Sequence, residues 1–175
     1  MRRYIIAGLL LILLVMQGMA MSLLPANLVY SDLLITPHWV FCLVIIIAIF
    51  YDRDDTYQAI WYGMIFGLLI DVAYTGVLGV YMATYATIAY ILHGVKKMVH
   101  ANFIAASLLA ILSVAMADTM LYIIYSFVQV TTFTWGEYVT LRLLPTVAAN
   151  MIFFIILYPL VKNRIEQWSE DLNNA

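Results

Sequence analysis

The sequence contains few charged residues and a single cysteine, and both shortages limit what the protein can be. Lys, Arg, Asp and Glu together make up 10% of the 175 residues, whereas 66% are hydrophobic. A soluble domain cannot bury so much apolar surface in its own core, so the composition predicts an integral membrane protein. The net charge of -2 is too small to indicate a nucleic-acid partner. Because Cys42 is alone, an intrachain disulfide is excluded.

The sequence also lacks the patterns of a metal centre and of a multidomain protein. His38, His93 and His100 are far apart in the sequence, and no zinc-type spacing of cysteine and histidine is present. No Gly/Ser-rich linker or charged tract divides the chain. We therefore expect one transmembrane domain over residues 1–175, without a metal or another cofactor.

Long apolar runs organise the chain. Six of them approach the ~20 residues that a helix needs to cross a bilayer, at residues 4–24, 37–51, 57–73, 78–94, 103–128 and 138–161. The apolar part of the second run is the shortest, since about 13 residues at ~1.5 Å each extend over only ~20 Å. The expected fold is an all-α integral membrane protein with a bundle of six transmembrane helices, followed by a cytoplasmic amphipathic tail at residues 162–175.

Basic residues predict how these helices are oriented. Short cytoplasmic loops are enriched in Lys and Arg. A cytoplasmic N-terminus leaves only Arg142 outside and places the other basic residues inside, namely Arg2, Arg3, Arg53, Lys96, Lys97, Lys162 and Arg164. Both termini are therefore expected in the cytoplasm. On the outer side, the composition of Pro25 to Thr36 predicts a short helix along the membrane surface.

Three ionisable side chains lie inside the predicted spans. Asp71 and Asp118 are each about 21–22 Å along an outward-directed helix at ~1.5 Å per residue. Arg142 lies in the first turns of the inward-directed last helix, so all three are expected in the outer half of the membrane. A charged group that faces lipid costs about 2.5–3.5 kcal/mol or more. We therefore expect Arg142 to bind Asp71, Asp118 or both.

The sixth predicted helix carries a polar stripe. Arg142, Thr146 and Asn150 are spaced four residues apart, so they share one face of the helix and are expected to face inward. Pro145 and Pro159 each remove a backbone hydrogen bond from this helix, which predicts a bend.

Glycines surround Asp71 in the third predicted helix. Gly63 and Gly67 form a small-xxx-small surface that leads to Asp71 and allows a neighbouring helix to approach closely, either within the chain or from a partner. Gly76 and Gly79 predict a tight outer turn between the third and fourth helices.

The predicted tail has an apolar face. Ile165, Trp168 and Leu172 are spaced at i, i+3 and i+7. This face is expected either to contact cytoplasmic partners or to continue the last helix along the lipid headgroups.

Two segments carry a family resemblance. TPHWVFCLVIIIAIFYDR and YGMIFGLLIDVAYTGVLGVYMATYATIAYIL, followed by an aspartate in the fifth span, resemble the family of the rod-shape-determining protein MreD. The resemblance is sharpest over residues 36–92 and extends, through span number and hydropathy, over almost the entire chain. Arg142 and Asn150 are identified by spacing alone, whereas the residues that match family positions are Gly63, Gly67, Asp71, Gly76, Gly79 and Asp118.

The resemblance implies a non-enzymatic membrane scaffold in the bacterial cytoplasmic membrane, within the complex that elongates the cell wall. It implies MreC as the main partner, with MreB, RodA and the RodA transpeptidase as further partners. It also implies a fold like the substrate-binding subunits of energy-coupling-factor vitamin transporters. On this interpretation, the three charged side chains of the outer half and the small-residue grooves beside them receive the transmembrane helix of MreC. The protein thereby helps to organise peptidoglycan synthesis.

Two other functions fit parts of the pattern. The substrate-binding subunit of a vitamin transporter would use Asp71, Asp118, Arg142 and Asn150 to line a pocket open to the outside. An intramembrane protease would use two aspartates that share a proton and activate water. Its GxGD motif is missing, since Leu68-Leu69-Ile70 precedes Asp71. A large polar outer cavity would favour the transporter, whereas an interior filled by side chains would favour the scaffold.

Overall fold

A computed structural model of the chain describes residues 2–20, 33–98 and 102–173. These residues form helices joined by turns and extended segments, and no strand occurs among them, which confirms the all-α class. The first five helices are α1 (Arg2–Gly18), α2 (Trp39–Ile46, continued by π-helical Ile47–Tyr51), α3 (Gln58–Tyr74), α4 (Val80–Val95) and α5 (Phe103–Phe127). The last helix, α6, begins with Trp135–Glu137, passes through the π-helical segment Tyr138–Leu143 and continues as Leu144–Asn173.

Two of these helices are long and apolar enough to cross a membrane, Phe103–Phe127 and the continuous helix Trp135–Glu170. Helices α1, α2 and α3 are apolar but shorter. The helices lie where the sequence predicts spans, although residues 21–24 of the first span lie outside the described residues. Helix α6 differs, because it continues past residue 161 without a break, so residues 162–173 of the predicted tail are part of the last helix. The number of membrane crossings and their orientation stay predictions.

Helix α2 is the central helix of the protein. Every side chain from Val40 to Tyr51 is buried, and α2 contacts each of the other five helices. A helix that is apolar on all sides is expected to be buried on all sides. Because protein surrounds α2 in place of lipid, the short length of its apolar run does not prevent it from being part of the bundle.

Helices α3 and α4 make the most extensive helix contact in the structure. The contact depends on the two glycines that the sequence analysis identified. A Cβ atom on Gly67 would lie 2.7 Å from the Tyr81 carbonyl oxygen and 2.7 Å from Met82 Cα, and one on Gly63 would lie 3.2 Å from the Tyr85 carbonyl oxygen. The predicted close approach of a helix is confirmed, and the approaching helix is α4 of the same chain.

The turn between α3 and α4 uses its two glycines differently. Gly79 has a φ of 90°, a left-handed conformation that strains residues with a Cβ atom. Gly76 lies in the same turn, but its φ is not positive and the space beside it is open. Gly79 is therefore required by the backbone, whereas an alanine at position 76 fits.

We expect Gly67→Ala to destabilise the protein strongly. The added methyl group meets backbone atoms of α4 at 2.7 Å, and backbone cannot move aside as a flexible side chain can, so the α3–α4 contact must open. Overpacking of this kind costs about 1–3 kcal/mol or more. Gly94→Ala is the matched control, because Gly94 lies in α4 with open space around it. Thermal unfolding in detergent measures both variants, and equal melting temperatures would contradict the proposed contact.

Candidate functional site

Asp71 binds the start of helix α4. Its Oδ2 accepts hydrogen bonds from the backbone N–H groups of Gly79 at 3.0 Å and Met82 at 3.1 Å, and its Oδ1 accepts one from Tyr81 N–H at 3.0 Å. The first N–H groups of a helix have no partner within the helix and carry a partial positive charge. Gly79, the N-cap residue of α4, has no side chain to cap them. The fully buried Asp71 carboxylate supplies this cap from the neighbouring helix.

Asp118 of α5 binds Arg142, which settles the open question of which carboxylate Arg142 meets. The Arg142 side chain donates to Asp118 Oδ1 from Nε at 3.3 Å and from Nη2 at 3.2 Å. The Tyr138 hydroxyl donates to Asp118 Oδ2 at 3.0 Å. Asp118 is fully buried and the Arg142 side chain is 18% exposed. Asp71 does not join this pair, because its oxygens accept hydrogen bonds from the backbone of α4.

His38 connects this ion pair to α2 and α4. Its ring is fully buried directly before α2, with Nδ1 2.8 Å from the Tyr85 hydroxyl. Its Nε2 lies 3.6 Å from Asp118 Oδ1, at ion-pair distance when the imidazole is protonated. Sequence spacing did not identify this histidine as a site residue. We define the polar layer as His38, Tyr85, Asp118, Tyr138 and Arg142, which together link α2, α4, α5 and α6.

A non-helical segment at residues 33–38 packs along α6. The His38 N–H donates to Asn150 Oδ1 at 2.6 Å, Asn150 Nδ2 donates to the Thr36 carbonyl at 2.8 Å, and Thr36 N–H donates to Thr146 Oγ1 at 3.0 Å. The predicted polar stripe of α6 therefore makes two separate sets of contacts. Arg142 binds Asp118, and the other two members satisfy the backbone of a non-helical segment inside the bundle, where unpaired N–H and C=O groups are costly.

Pro145 provides a further acceptor for this segment. A proline has no N–H, so the carbonyl four residues earlier, that of Leu141, lacks its usual α-helical donor. That carbonyl accepts the Leu34 N–H at 2.8 Å. The expectation of a surface helix over Pro25 to Thr36 is wrong for residues 33–36, which are not helical, and residues 25–32 lie outside the described residues.

The apolar face of the tail packs on the protein itself. Ile165 is buried, Trp168 is partly buried against the same core, and the neighbouring Ser169 hydroxyl donates to the Tyr51 carbonyl at 3.1 Å. The side chain of Leu172 lies outside the described part of the chain. Ile165 and Trp168 thus attach the end of α6 to the end of α2, and contact with a cytoplasmic partner stays a prediction.

The polar groups that the transporter and protease interpretations require are bound to the chain itself. The transporter needs Asp71, Asp118 and Asn150 to face an open pocket, yet each accepts hydrogen bonds from the protein within the bundle. The protease needs two carboxylates that share a proton. In this structure Asp71 binds backbone N–H groups of α4, whereas Asp118 binds side chains of α6.

Comparisons with known proteins agree with this description. A family model described as "rod shape-determining protein MreD" matches residues 2–165. The rod shape-determining protein MreD of Bacillus subtilis (strain 168) is 27% identical over 157 residues, which cover 90% of each chain. No solved structure matches the chain, so the resemblance to vitamin-transporter subunits is untested.

The match extends beyond the segments that carried the resemblance. The family model includes α1 and most of α6. Helix α6 holds the polar stripe and the arginine of the buried ion pair. Together with the apolar helices, the match supports a location in a membrane and a role in determining rod shape. The chain belongs to the MreD family of rod shape-determining proteins.

Proposed function

We propose that the protein is a non-enzymatic membrane scaffold of the cell-wall elongation complex. It binds MreC in the bacterial cytoplasmic membrane, with MreB, RodA and the RodA transpeptidase as further partners, and so helps to organise peptidoglycan synthesis. Membership of the MreD family supports the role in rod shape.

The observation that carries this proposal is that the charged groups of the interior bind one another and the backbone. Asp71 caps α4, Asp118 binds Arg142 and Tyr138, and Asn150 binds residues 36–38. Such an arrangement fixes the relative positions of the helices, because each bond joins two different elements. A rigid bundle of this kind supports a protein that presents a constant surface to its partners.

The surface that we assign to the MreC helix differs from the one suggested by the glycines. Helix α4 fills the surface of Gly63 and Gly67, so a partner helix would have to displace α4 to reach it. A groove of about 600 Å³ lies between α4 and α5 instead, lined by apolar and small residues that include Thr87, Ala115 and Met116. Small residues allow helices in lipid to approach closely, and methionine adapts its shape to a partner.

Co-purification with MreC from membranes tests this proposal. Ala115→Phe adds a bulky side chain to the groove, so we expect it to retain about a tenth or less of the MreC bound by wild type, since one misfitted aromatic ring costs about 1.4 kcal/mol or more. Ile155→Phe is the matched control, because Ile155 is exposed on α6 and does not line the groove. Equal recovery of MreC with both variants would reject the groove. Failure of wild type to bind MreC would reject the scaffold proposal itself.

A further inference from the structure

A cavity of about 200 Å³ lies at the end of the bundle where α1 begins and α2 ends, lined by Arg3, Tyr51, Arg53, Thr56 and Gln58. The first turn of α1 forms one wall, and the loop from α2 to α3 forms the other. This end contains the basic residues that predict the cytoplasmic side, so the cavity is expected at the level of the inner lipid headgroups. The cavity shares no lining residue with the polar layer.

The two arginines of this cavity have no acidic partner. Two other basic side chains of the same end are paired, since Lys97 lies 3.6 Å from Asp54 and Lys162 binds Glu166 four residues along α6. For Arg3 and Arg53, no carboxylate lies within 4 Å in the described part of the chain. Two positive charges from separate segments therefore face one cavity without a counter-charge.

Neutral hydrogen-bond donors line the cavity beside the two arginines. Tyr51 is only 3% exposed, and within the described ranges neither its hydroxyl nor the side-chain amide of Gln58 donates a hydrogen bond to another protein group. Both side chains line the cavity, so these polar groups are available to a ligand in it. Four donor groups thus surround a space far larger than the ~10–15 Å³ that a single water needs.

Asp52 is the nearest acid, and its carboxylate is already bound. Its oxygens accept the N–H of Gln58 at 2.8 Å and that of Ala59 at 2.9 Å, at the start of α3. Burial raises the pKa of the Asp52 carboxyl, and Lys96 lies close enough to act against this shift. The remaining acid of the loop, Asp55, is exposed to solvent. The balance of charge inside the cavity therefore stays positive.

We propose that this cavity binds the phosphate of an anionic phospholipid headgroup, with Arg3 and Arg53 on either side of it. Guanidinium groups bind phosphate oxygens in paired, charge-assisted hydrogen bonds. The headgroup layer provides phosphate at the depth where α1 begins and α2 ends. A lipid held there fastens the start of α1 to the α2–α3 loop, in addition to the bond from the Tyr62 hydroxyl to the Arg3 carbonyl. This inference does not depend on the proposed binding of MreC.

Native mass spectrometry of the full-length protein, titrated with phosphatidylglycerol or phosphatidylcholine, tests the proposal. Wild type is expected to retain one phosphatidylglycerol that the double variant Arg3→Gln/Arg53→Gln binds at least about tenfold more weakly, since each charge-assisted contact is worth about a factor of ten. Arg164→Gln is the matched control, because it removes an exposed basic residue from α6. The control is expected to bind like wild type.

Melting temperatures separate the possible sources of phosphate. Phosphatidylglycerol is expected to raise the melting temperature of wild type but not of the double variant, while millimolar inorganic phosphate changes neither. Equal stabilisation by inorganic phosphate would overturn the assignment to lipid, and equal lipid binding by wild type and the double variant would overturn the site. If the double variant does not fold, Arg53→Gln alone is measured in the same way, and unchanged lipid binding by it also overturns the proposal.

Discussion

Replacing Asp71 by leucine is expected to destabilise the protein by about 3 kcal/mol, because one buried and two partly buried N–H groups lose their acceptor at about 1–3 kcal/mol each. The three groups belong to Gly79, Tyr81 and Met82. Leucine is larger than aspartate and offers no oxygen to these N–H groups. The start of α4 then lacks a cap, since Gly79 has no side chain that can replace the carboxylate.

Asp71→Asn separates the loss of charge from the loss of the acceptor. Its amide keeps one oxygen for the α4 N–H groups, but its NH₂ faces donors, so we expect a stability between that of leucine and wild type. Asp55→Asn is the control, because it removes a carboxylate from an exposed loop position. Hydrogen exchange at residues 79–82 reports the cap directly. Unchanged exchange and an unchanged melting temperature in Asp71→Leu would show that the carboxylate does not stabilise α4.

The sequence predicted that Asp71 must be satisfied, but it did not identify the partner. Sequence spacing favoured a cation because a buried charge most often meets an opposite charge. The missing signal was local: α4 begins after Gly79 without a Ser, Thr, Asp or Asn at its N-cap position. A helix start that lacks its own cap inside a membrane needs an acceptor from elsewhere. Asp71, one tight turn earlier in the chain, was the nearest candidate.

The positions of the helices were predictable for a physical reason that does not apply to the polar layer. Hydropathy and length are properties of each segment alone, so α3 and α5 lie where the sequence places spans. His38, Tyr85 and Tyr138 lie in three different segments, and no period connects them. Only the packing of α2 against α4, α5 and α6 brings these three side chains around Asp118.

The non-helical segment before α2 shows that composition can lead to a wrong prediction although the sequence contains a contrary signal. The mixed Leu, Val and Tyr content of Pro25 to Thr36 favoured a surface helix. However, the residue before a proline is disfavoured in the α region, so Thr36 before Pro37 argued against a helix there. The backbone groups that a helix would have satisfied are bound by Thr146, Asn150 and the free carbonyl of Leu141. Sequence spacing placed the two side chains on one inward face but could not show what they bind.

The second large effect is expected at the buried ion pair. Arg142→Gln leaves the fully buried Asp118 carboxylate without its cation, and breaking a buried pair from one side costs about 3–5 kcal/mol. Asp118→Asn leaves Arg142, which is 18% exposed, so the guanidinium retains some access to water and we expect a smaller loss. The π-helical segment that holds Tyr138 and Arg142 is expected to lose protection from hydrogen exchange in both variants.

The double variant Asp118→Asn/Arg142→Gln tests whether the two residues act as a pair. Both neutral amides can hydrogen-bond across the same gap. The double variant is therefore expected to lose less unfolding free energy than the two single variants lose in total, by about 0.5–3 kcal/mol. Arg164→Gln, at an exposed position of the same helix, controls for the removal of an arginine. Strictly additive losses in unfolding experiments would show that the contact between Arg142 and Asp118 contributes nothing. A coupling would identify the pair as the bond that fixes α5 against α6, as a scaffold with a constant surface requires.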